Sequence, residues 1–566
     1  MSDQLVYDLS QSGQEQSSIF VKKDYLNLLD NQNGQYSGGQ SVIDTSQLSN
    51  SSRYMSYREG YLQIPMLMTL TTDANSELFL PAAVGTSRDY ACGLKNWYGS
   101  IIHSISCDFN GITVIQSTGF QGLYNTFKLM TTLSYQDLIT QGSEIGFWPD
   151  NALSFLFVNE ATPDGRGTCF NQNSIVPTVV TGAFNSYDAG NIGFLKRQQF
   201  INYDQEGLTA PGSDAFSTLL TEPKASQLWK SHILQKTSGT GGTRGSIQWA
   251  INGIVKLKHL HDLFAKMPLL KGVFLKMTLQ LNNSSVTFSS AAAGGVLNIV
   301  TATSNTGGVI PFMIASARAT QGGVTAFGYV GNYTCSIAVG SKCLVASQLN
   351  AAGITQSQMA NISLNIPSYV MSPSWESAYL QSPIKKIDYE DIYQYQILNV
   401  APSGTINSLI TNGIAGLTKF LMLPCYTAAA NGGTSPLYSP FDAFGTGVTS
   451  PLALLSSFQV VLSGGNMLYN QVKYSHTSFI EQLSGCNSIN ADLTDGLTSG
   501  LVGMLDFETA YCYYYVDLSR SLEIEKSVPK SVSVQGINMS AKACDYYVFL
   551  AYNASLSVDV LSGSRV

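Results

Sequence analysis

Two histidines and an aspartate lie close together in His259-Leu260-His261-Asp262 and have the chemistry of metal ligands. Imidazole nitrogens and carboxylate oxygens bind Zn²⁺, and alternate residues of a strand share one face. The chain has only five histidines, however, and no third ligand is evident. The pattern favours the end of a strand that passes into a helix, with the histidines at a surface or an interface. We therefore predict no metal site.

Two pairs of carboxylates, Glu390-Asp391 and Glu523 with Glu525, have the residue types of a general acid and base. Such pairs act when a cleft holds them and shifts their pKa values apart. The sequence around them indicates neither a cleft nor a shifted pKa. We expect solvated strand edges at both places.

The aromatic run Tyr511-Cys512-Tyr513-Tyr514-Tyr515 has the composition of a platform that stacks sugars or bases. In a strand, however, successive side chains point to opposite faces. Half of the run would then face a core and half a sheet surface or a subunit contact. Packing is the predicted role, and a carbohydrate-binding surface is the alternative.

Motifs that define common catalytic sites are missing from the chain. Residues 239–245 are rich in glycine, but they lack the spacing and the lysine of a phosphate-binding loop. Neither a GxSxG nucleophile elbow nor an HExxH metal motif occurs. We predict no catalytic, cofactor-binding or metal-binding residue, and a protein that is not an enzyme.

Composition limits the remaining possibilities. The 566 residues are too many for one core, and 44% of them are apolar. Only 12% are charged, about half the share of typical soluble domains. A neutral surface suits a subunit surrounded by copies of itself or a hydroxyl-rich extracellular β-protein. The net charge of −7 argues against a protein that coats nucleic acid.

Targeting and redox signals are also weak. The first residues lack the basic and apolar regions of a signal peptide, and no segment has the length of a transmembrane helix. The nine cysteines are scattered without a CxxC pair. We expect free thiols and folding in a reducing compartment.

Short sequences of the first half recur in the second half in the same order, which indicates a duplicated domain. The pairs are Leu62-Gln63-Ile64-Pro65 with Leu364-Asn365-Ile366-Pro367, Leu123-Tyr124-Asn125 with Leu468-Tyr469-Asn470, Val255-Lys256-Leu257 with Val516-Asp517-Leu518, and Leu279-Gln280-Leu281-Asn282 with Leu550-Ala551-Tyr552-Asn553. The spacing between the second and third pairs predicts about 84 extra residues in the first half, within 140–246.

Between these sequences, short apolar runs alternate with Gly, Asn, Asp, Pro and Ser, a pattern typical of all-β proteins. Asn110-Gly111 predicts a tight hairpin. Apolar spacing predicts helices over Phe120–Leu138, His261–Met267 and Leu468–Leu483. We therefore predict two tandem eight-stranded jelly rolls with short helices in the loops between strands.

The predicted domains follow from these patterns. Residues 1–54 are rich in Gln, Ser, Asn and Gly, and we expect a polar N-terminal arm. The first jelly roll is predicted over 55–290, with a long inserted loop region at about 140–246. The second is predicted over 291–566, with the boundary placed between 290 and 355.

The chain resembles the double jelly-roll major capsid proteins of polinton-like viruses and virophages. The resemblance spans most of the chain, and each motif in it is loose. The stretches that carry it are Gly34-Gln35-Tyr36, Asp44-Thr45, Ser56 to Pro65, Asp262-Leu263-Phe264, Pro268 to Gly272, Ile366-Pro367-Ser368-Tyr369, Lys385 to Tyr389 and Tyr513 to Arg520.

The resemblance implies a homotrimer with a pseudo-hexagonal outline that tiles an icosahedral shell around double-stranded DNA, without sequence-specific DNA binding. It also implies a location in the virion, synthesis and assembly inside the host cell, and separate penton and minor capsid proteins as partners. It supplies no catalytic residues and no cofactor. The inserted loop would form part of an outward tower.

Two other classes of function stay open at this point. A jelly-roll module for host attachment or carbohydrate binding would use exposed tyrosines such as Tyr513. A glycan-active enzyme would need a carboxylate pair in a cleft.

Overall fold

The computed structural model describes most of the chain in segments. These are residues 19–32, 36, 38–46, 53–72, 90–150, 168–169, 192–197, 233–237, 246–271, 274–290, 297–316, 332–340, 361–414, 416, 418–428, 435–440, 445, 447–449, 454–468, 474–488, 500–519 and 528–560.

Strands dominate these segments. The first seventeen are β1 (Phe20–Leu29), β2 (Gln40–Asp44), β3 (Tyr54–Met55), β4 (Tyr61–Thr72), β5 (Tyr90–Leu94), β6 (Ile102–Phe109), β7 (Ile112–Ile115), β8 (Thr168–Cys169), β9 (Ile233–Thr237), β10 (Ser246–Lys256), β11 (Leu270–Lys271), β12 (Leu275–Leu281), β13 (Ser284–Ser290), β14 (Leu297–Ser304), β15 (Phe312–Ser316), β16 (Asn332–Val339) and β17 (Ser363–Met371). The rest are β18 (Ile384–Val400), β19 (Thr405–Ile414), β20 (Thr418–Leu423), β21 (Cys425–Thr427), β22 (Leu455–Leu462), β23 (Gly465–Asn466), β24 (Tyr514–Asp517), β25 (Lys530–Asn538) and β26 (Cys544–Asp559).

The helices are short and lie between strands. They are α1 (Gln121–Thr132), α2 (Tyr135–Ile145), α3 (Ile192–Arg197), α4 (Leu257–Leu260), α5 (Asp262–Lys266), α6 (Pro373–Leu380), α7 (His476–Ser488) and α8 (Met504–Thr509). Among the described residues, no helix is long and apolar enough to cross a membrane.

The first sandwich, which we call roll 1, has two antiparallel sheets built on the orders β1-β17-β4-β10 and β2-β12-β6-β7. Alternation in the sequence explains the packing: along β12, Leu275, Met277, Leu279 and Leu281 are buried and the residues between them are more exposed. One face of each sheet therefore supplies the core of the sandwich.

The second sandwich, roll 2, has sheets of order β18-β26-β20-β24 and β19-β25-β22-β23. Its interior contains apolar side chains from both sheets, including Leu421, Val460, Val534 and Val548. In chain order, its eight strands occupy the same sheet positions as the eight strands of roll 1. First, eighth, third and sixth strands form one sheet; second, seventh, fourth and fifth form the other.

This strand order is that of a jelly roll, so the protein is a double jelly roll and the predicted fold class is confirmed. The hairpin at Asn110 and Gly111 is also confirmed. Both residues have positive φ, at 48° and 81°, as a two-residue turn between twisted strands requires.

Roll 1 extends its first sheet beyond the eight strands. Strand β16 pairs with β4 next to the end of β17, and β13 and β14 continue the sheet outward. All three strands belong to the connection between β12 and β17, the seventh and eighth strands of the roll.

The predicted N-terminal arm is wrong for part of its length. Strand β1 pairs with β17 over its whole length, and β2 pairs with β12, so both are integral to roll 1. Leu28 and Ile43 lie in the core. The polar composition concealed these strands because β1 is an edge strand with one exposed face. Residues 1–18 lie outside the described residues.

The boundary between the domains also differs from the prediction. Strand β17, which closes roll 1, ends at Met371, and roll 2 begins with β18 at Ile384, whereas a boundary at 290–355 was expected. The repeat of Leu62-Gln63-Ile64-Pro65 and Leu364-Asn365-Ile366-Pro367 does not mark equivalent strands. These sequences lie in β4 and β17, which pair in one sheet of roll 1.

One of the other repeats marks equivalent positions, and another does not. Val255 and Val516 both lie in the sixth strand of their roll, while Leu279 lies in a seventh strand and Leu550 in an eighth. The sixth strand starts 131 residues after the fifth ends in roll 1 (115 to 246) and 48 after it in roll 2 (466 to 514). The difference, 83 residues, agrees with the 84 expected from sequence.

The helix predictions were right in kind and inexact in extent. The segment Phe120–Leu138 contains α1 and the start of α2, and a capping box at Ser134 and Asp137 begins α2. His261 separates α4 from α5, and α7 begins eight residues later than predicted. The glycine-rich residues 239–245 lie outside the described residues.

Candidate functional site

The sheet of roll 2 that contains β24 is buried on both faces, which is the central fact of the junction between the rolls. Tyr514 and Val516 belong to the interior of roll 2. Tyr513 and Tyr515 point the other way and join a core that includes residues of roll 1. The expected alternation of the aromatic run is therefore confirmed.

The same tyrosines do not form an exposed platform. Tyr511, Tyr513, Tyr514 and Tyr515 are each almost fully buried. The hydroxyl of Tyr513 donates to the carbonyl oxygen of Gly447 at 2.5 Å, and that of Tyr511 to the carbonyl oxygen of Asp150 at 2.7 Å. A sugar could not stack on rings in these positions.

Helix α1 of roll 1 covers the outer face of this sheet. The ring of Phe127 lies 5.1 Å from that of Tyr513 and 5.6 Å from that of Tyr515. The ring of Tyr124 stacks on Phe420 at 6.3 Å. The helix is amphipathic in sequence, with apolar residues at 123, 124, 127 and 130, so the face that packs against roll 2 is encoded locally.

A buried carboxylate, Glu390 of β18, lies at the centre of the junction. Its oxygens are 3.2 Å from Nζ of Lys128 and 3.3 Å from Nζ of Lys419, and the hydroxyl of Tyr124 donates to it. Burial alone would raise the pKa of Glu390. The two lysine charges and the hydrogen bonds outweigh burial and lower the pKa to about 2. The group is therefore ionised at neutral pH.

The neighbouring Asp391 is bound in a similar way. Its Oδ1 lies 3.4 Å from Nε2 of His261, and its Oδ2 accepts from the hydroxyl of Tyr552 at 2.9 Å. Burial raises the pKa of Asp391, and the hydrogen bonds and the His261 contact lower it overall. On the other side, Nδ1 of His261 accepts from the backbone N–H of Leu263 and fixes the start of α5.

The structure thus brings together two groups that are separate in sequence. Asp262 accepts from the backbone N–H of Glu390 at 2.8 Å, so His259-Leu260-His261-Asp262 of roll 1 lies against Glu390-Asp391 of roll 2. The prediction of an interface position is met by His261. The prediction of solvated strand edges is wrong for Glu390 and Asp391. Glu523 and Glu525 lie outside the described residues.

An open cleft of about 230 Å³ lies beside these contacts and includes Lys128, Lys258 and His259 in its walls. Burial and the charges of Lys258 and Lys256 lower the pKa of His259 to about 4, so its imidazole is neutral at pH 7. No group of three or more His, Cys, Asp or Glu side chains in the described segments has the geometry of a metal site. Each junction carboxylate is held by partners of its own, an arrangement that suits docking.

Sequence reasoning missed the residues that neutralise Glu390. Lys128 and Lys419 are 262 and 29 residues away from it in the chain, and no motif links them. The position of Lys128 on α1, four residues after Tyr124, was the available signal, because residues four apart share a helix face and a lysine there needs a partner when that face is buried.

Other polar contacts hold the rolls together further along the junction. Nζ of buried Lys95 donates to the carbonyl oxygen of Ser439 at 2.6 Å. Arg197 of α3 forms a buried ion pair with Asp150 at 2.5 Å, and the same Asp150 accepts from Tyr511 through its backbone. The rolls therefore share an apolar core and a set of buried polar contacts.

No protein-family model and no curated protein matches the sequence. The structure is similar to one of the Sputnik virophage, with 12% identity, a TM-score of 0.45 and coverage of 97% of this chain and 88% of that chain. It is also similar to the mavirus major capsid protein, with 9% identity, a TM-score of 0.40 and coverage of 99% of this chain and 94% of that chain. For the Faustovirus major capsid protein the identity is 10%, the TM-score 0.43 and the coverage 96% of this chain and 92% of that chain.

Two of these three structures are named as major capsid proteins. The assignment of a double jelly roll rests on the strand order of the chain itself.

Proposed function

We propose that the protein is a major capsid protein, a structural subunit that forms homotrimers of pseudo-hexagonal outline in the icosahedral shell of a double-stranded DNA virus. The observation that carries the proposal is the repetition of one eight-strand order within a single chain. Three such chains present six similar sandwiches, so a trimer of one protein can occupy a lattice position that has six neighbours.

The junction supports this role because it locks the two sandwiches side by side. Aromatic side chains of α1 pack between them, and the ion pairs of Glu390 fix their register. A shell subunit needs such rigidity, since neighbours contact each sandwich at a defined distance.

The partners and location follow from the proposal. The subunit binds copies of itself, then neighbouring capsomers and separate penton and minor capsid proteins, and it encloses DNA without reading its sequence. Its location is the virion, after synthesis and assembly inside the host cell. It acts without a cofactor and without catalysis. The long connection before β10 contributes to an outward tower.

The test is the mass and shape of the purified protein. Light scattering after size exclusion should give three times the chain mass of 61.0 kDa. Negative-stain images should show particles with six lobes. A stable monomer at micromolar concentration would refute the proposal.

A glycan-binding module has lost its main support, because the tyrosines on which that alternative depends are buried. A flat response on a glycan array is expected for the wild-type protein.

A further inference from the structure

Roll 1 has an exposed strip at the place where roll 2 is covered. In roll 2, roll 1 buries the outer face of the first strand, β18, around Glu390, which is only 6% exposed. In roll 1, the first strand is β1. Its inward residue Leu28 lies in the core, whereas Val21, Tyr25 and Leu29 on the outer face are exposed, Tyr25 at 60%.

The chemistry of this strip is that of a docking surface. Lys23 lies between the apolar residues, with Nζ 3.0 Å from Glu59 and over the rings of Tyr25 and Tyr369. Among the described strands, β1 pairs with β17 alone, so its other edge has no strand against it. Exposed apolar residues on such an edge mark a site for another chain.

Roll 2 has a matching exposed element in the connection between its fifth and sixth strands. Helix α8 is anchored by Phe507, whose ring lies 5.1 Å from that of Phe479. Its neighbours Met504 and Leu505 point outward, and Leu505 is 67% exposed. Glu508 on the same helix is also exposed.

The equivalent connection of roll 1 has a partner within the chain. It contains α1, which covers the outer face of the first sheet of roll 2. The connection with α8 occupies the same place in the strand order of roll 2. Each roll therefore has one connection to donate and one face to receive. The roll 2 connection meets α1 of its own chain at Leu501, whose N–H donates to the carbonyl oxygen of Met130 at 2.8 Å, and the outward side of α8 stays exposed.

We propose that the α8 connection of one copy docks on the outer face of β1 in a second copy, and so repeats between subunits the contact that α1 makes within the chain. The inference rests on the proposed function and assigns the surfaces that join its subunits. One copy donates and the next receives, so three contacts of this kind close a ring in which rolls 1 and 2 alternate.

The charges distinguish the two kinds of contact. Within the chain, Lys128 on the donated helix meets Glu390 on the receiving sheet. In the proposed contact the signs are reversed, with exposed Glu508 on the donated helix and Lys23 on the receiving face, where its Nζ lies 3.0 Å from Glu59. Like charges would then oppose docking of the roll 1 connection on β1 of another copy.

The test places a charge on either surface, with Tyr25→Glu and Leu505→Glu. Val300→Glu on β14 and Leu409→Glu on β19 replace similarly exposed apolar residues elsewhere and serve as controls. The wild type and the controls should be trimers by light scattering. At micromolar concentration the trimer fraction of each test variant should be at least tenfold lower than that of the wild type. Each variant should keep the circular dichroism spectrum and the thermal midpoint of a folded subunit.

Mixing the two variants gives a sharper result. An intact contact needs the β1 face of a Leu505→Glu subunit and the α8 connection of a Tyr25→Glu subunit. The mixture should therefore form pairs of one subunit of each kind, and neither variant should pair alone. Misfolding cannot produce this pattern. The charge reversal Lys23→Glu should weaken the trimer, and the added Glu508→Lys should restore it.

Failure of this inference is distinct from failure of the proposed function. If the wild type is a trimer and both test variants are also trimers, or if the mixture forms no pairs, the assignment of the surfaces is overturned and the shell role stands. If the wild type is a monomer, the proposed function fails as well.

Discussion

Strands β1 and β18 hold the same place in the strand order of their rolls, but their surroundings are opposite. The outer face of β18 is packed against roll 1 and contains a buried carboxylate, whereas the outer face of β1 is open. The topology is thus shared, and the difference lies in what covers the sheet. The two rolls share a strand order, but the residues that join them differ between the rolls.

Removal of the aromatic packing between the rolls should have the largest effect. Phe127→Ala deletes a buried ring that contacts Tyr513 and Tyr515, at a cost of about 3–5 kcal/mol. We expect calorimetry to show two separated unfolding transitions. Phe458→Ala, in the interior of roll 2, is the matched control and should lower stability without separating the rolls. A single transition in the Phe127 variant would show that the rolls are coupled elsewhere.

The acid response of the junction should be next in size. The pKa of Glu390 is lower in the folded protein than its ordinary value of 4.5. The ionised carboxylate therefore stabilises the folded state above pH 4.5, and this stabilisation is lost as the pH falls towards 2. We expect a loss of about 3 kcal/mol over this window. Urea midpoints measured at successive pH values should fall less steeply for Glu390→Gln.

The control for this experiment lies on the same strand. Asp388 is exposed and pairs with Lys386, so Asp388→Asn should keep the acid response of the wild type. Equal pH dependence of the wild type and the Glu390 variant would contradict the assignment.

A methyl group at Gly447 should cost about 2 kcal/mol. The glycine has φ of 98°, and an added Cβ would lie 2.3 Å from the side chain of Thr126 on α1 and 2.9 Å from the hydroxyl of Tyr513. Gly464 also has a positive φ, of 86°, but open space around it. Gly464→Ala therefore measures only the cost of placing alanine at a positive φ. Thermal unfolding of Gly447→Ala and Gly464→Ala should therefore differ, and equal midpoints would argue against a tight junction.

The smallest effect is expected from single hydroxyl groups. Tyr513→Phe removes the bond to Gly447 at the junction, and Tyr514→Phe removes the bond from the N–H of Leu455 inside roll 2. Each should cost about 1 kcal/mol. Proteolysis between the rolls, at residues 372–383, should quicken for the first variant only.

Much of the fold could be predicted from the sequence because each strand carries its own alternation. The equivalence of Val255 and Val516 was visible, since both end a sixth strand before a helix or loop. The pairing of Leu62 to Pro65 with Leu364 to Pro367 misled for a physical reason. Strands β4 and β17 are central neighbours in one sheet, so the same environment selects similar residues in both.

The junction was less accessible from sequence. His261 and Asp391 were each noticed, but they are 130 residues apart, and their contact depends on the docking of complete rolls. Strand β1 was missed because half of its residues face outward in the single chain. Its polar and apolar residues look like those of an unstructured arm until the pairing with β17 is known.

The pairing of β1 with β17 has a consequence for synthesis on the ribosome. Phe20 is translated 351 residues before its partner Met371, an interval of roughly 20–70 s at ordinary elongation rates. During that time the nascent chain lacks the strand that shields Leu26 and Leu28. Chaperones that hold exposed apolar segments should therefore bind the growing chain until residue 371 has left the exit tunnel.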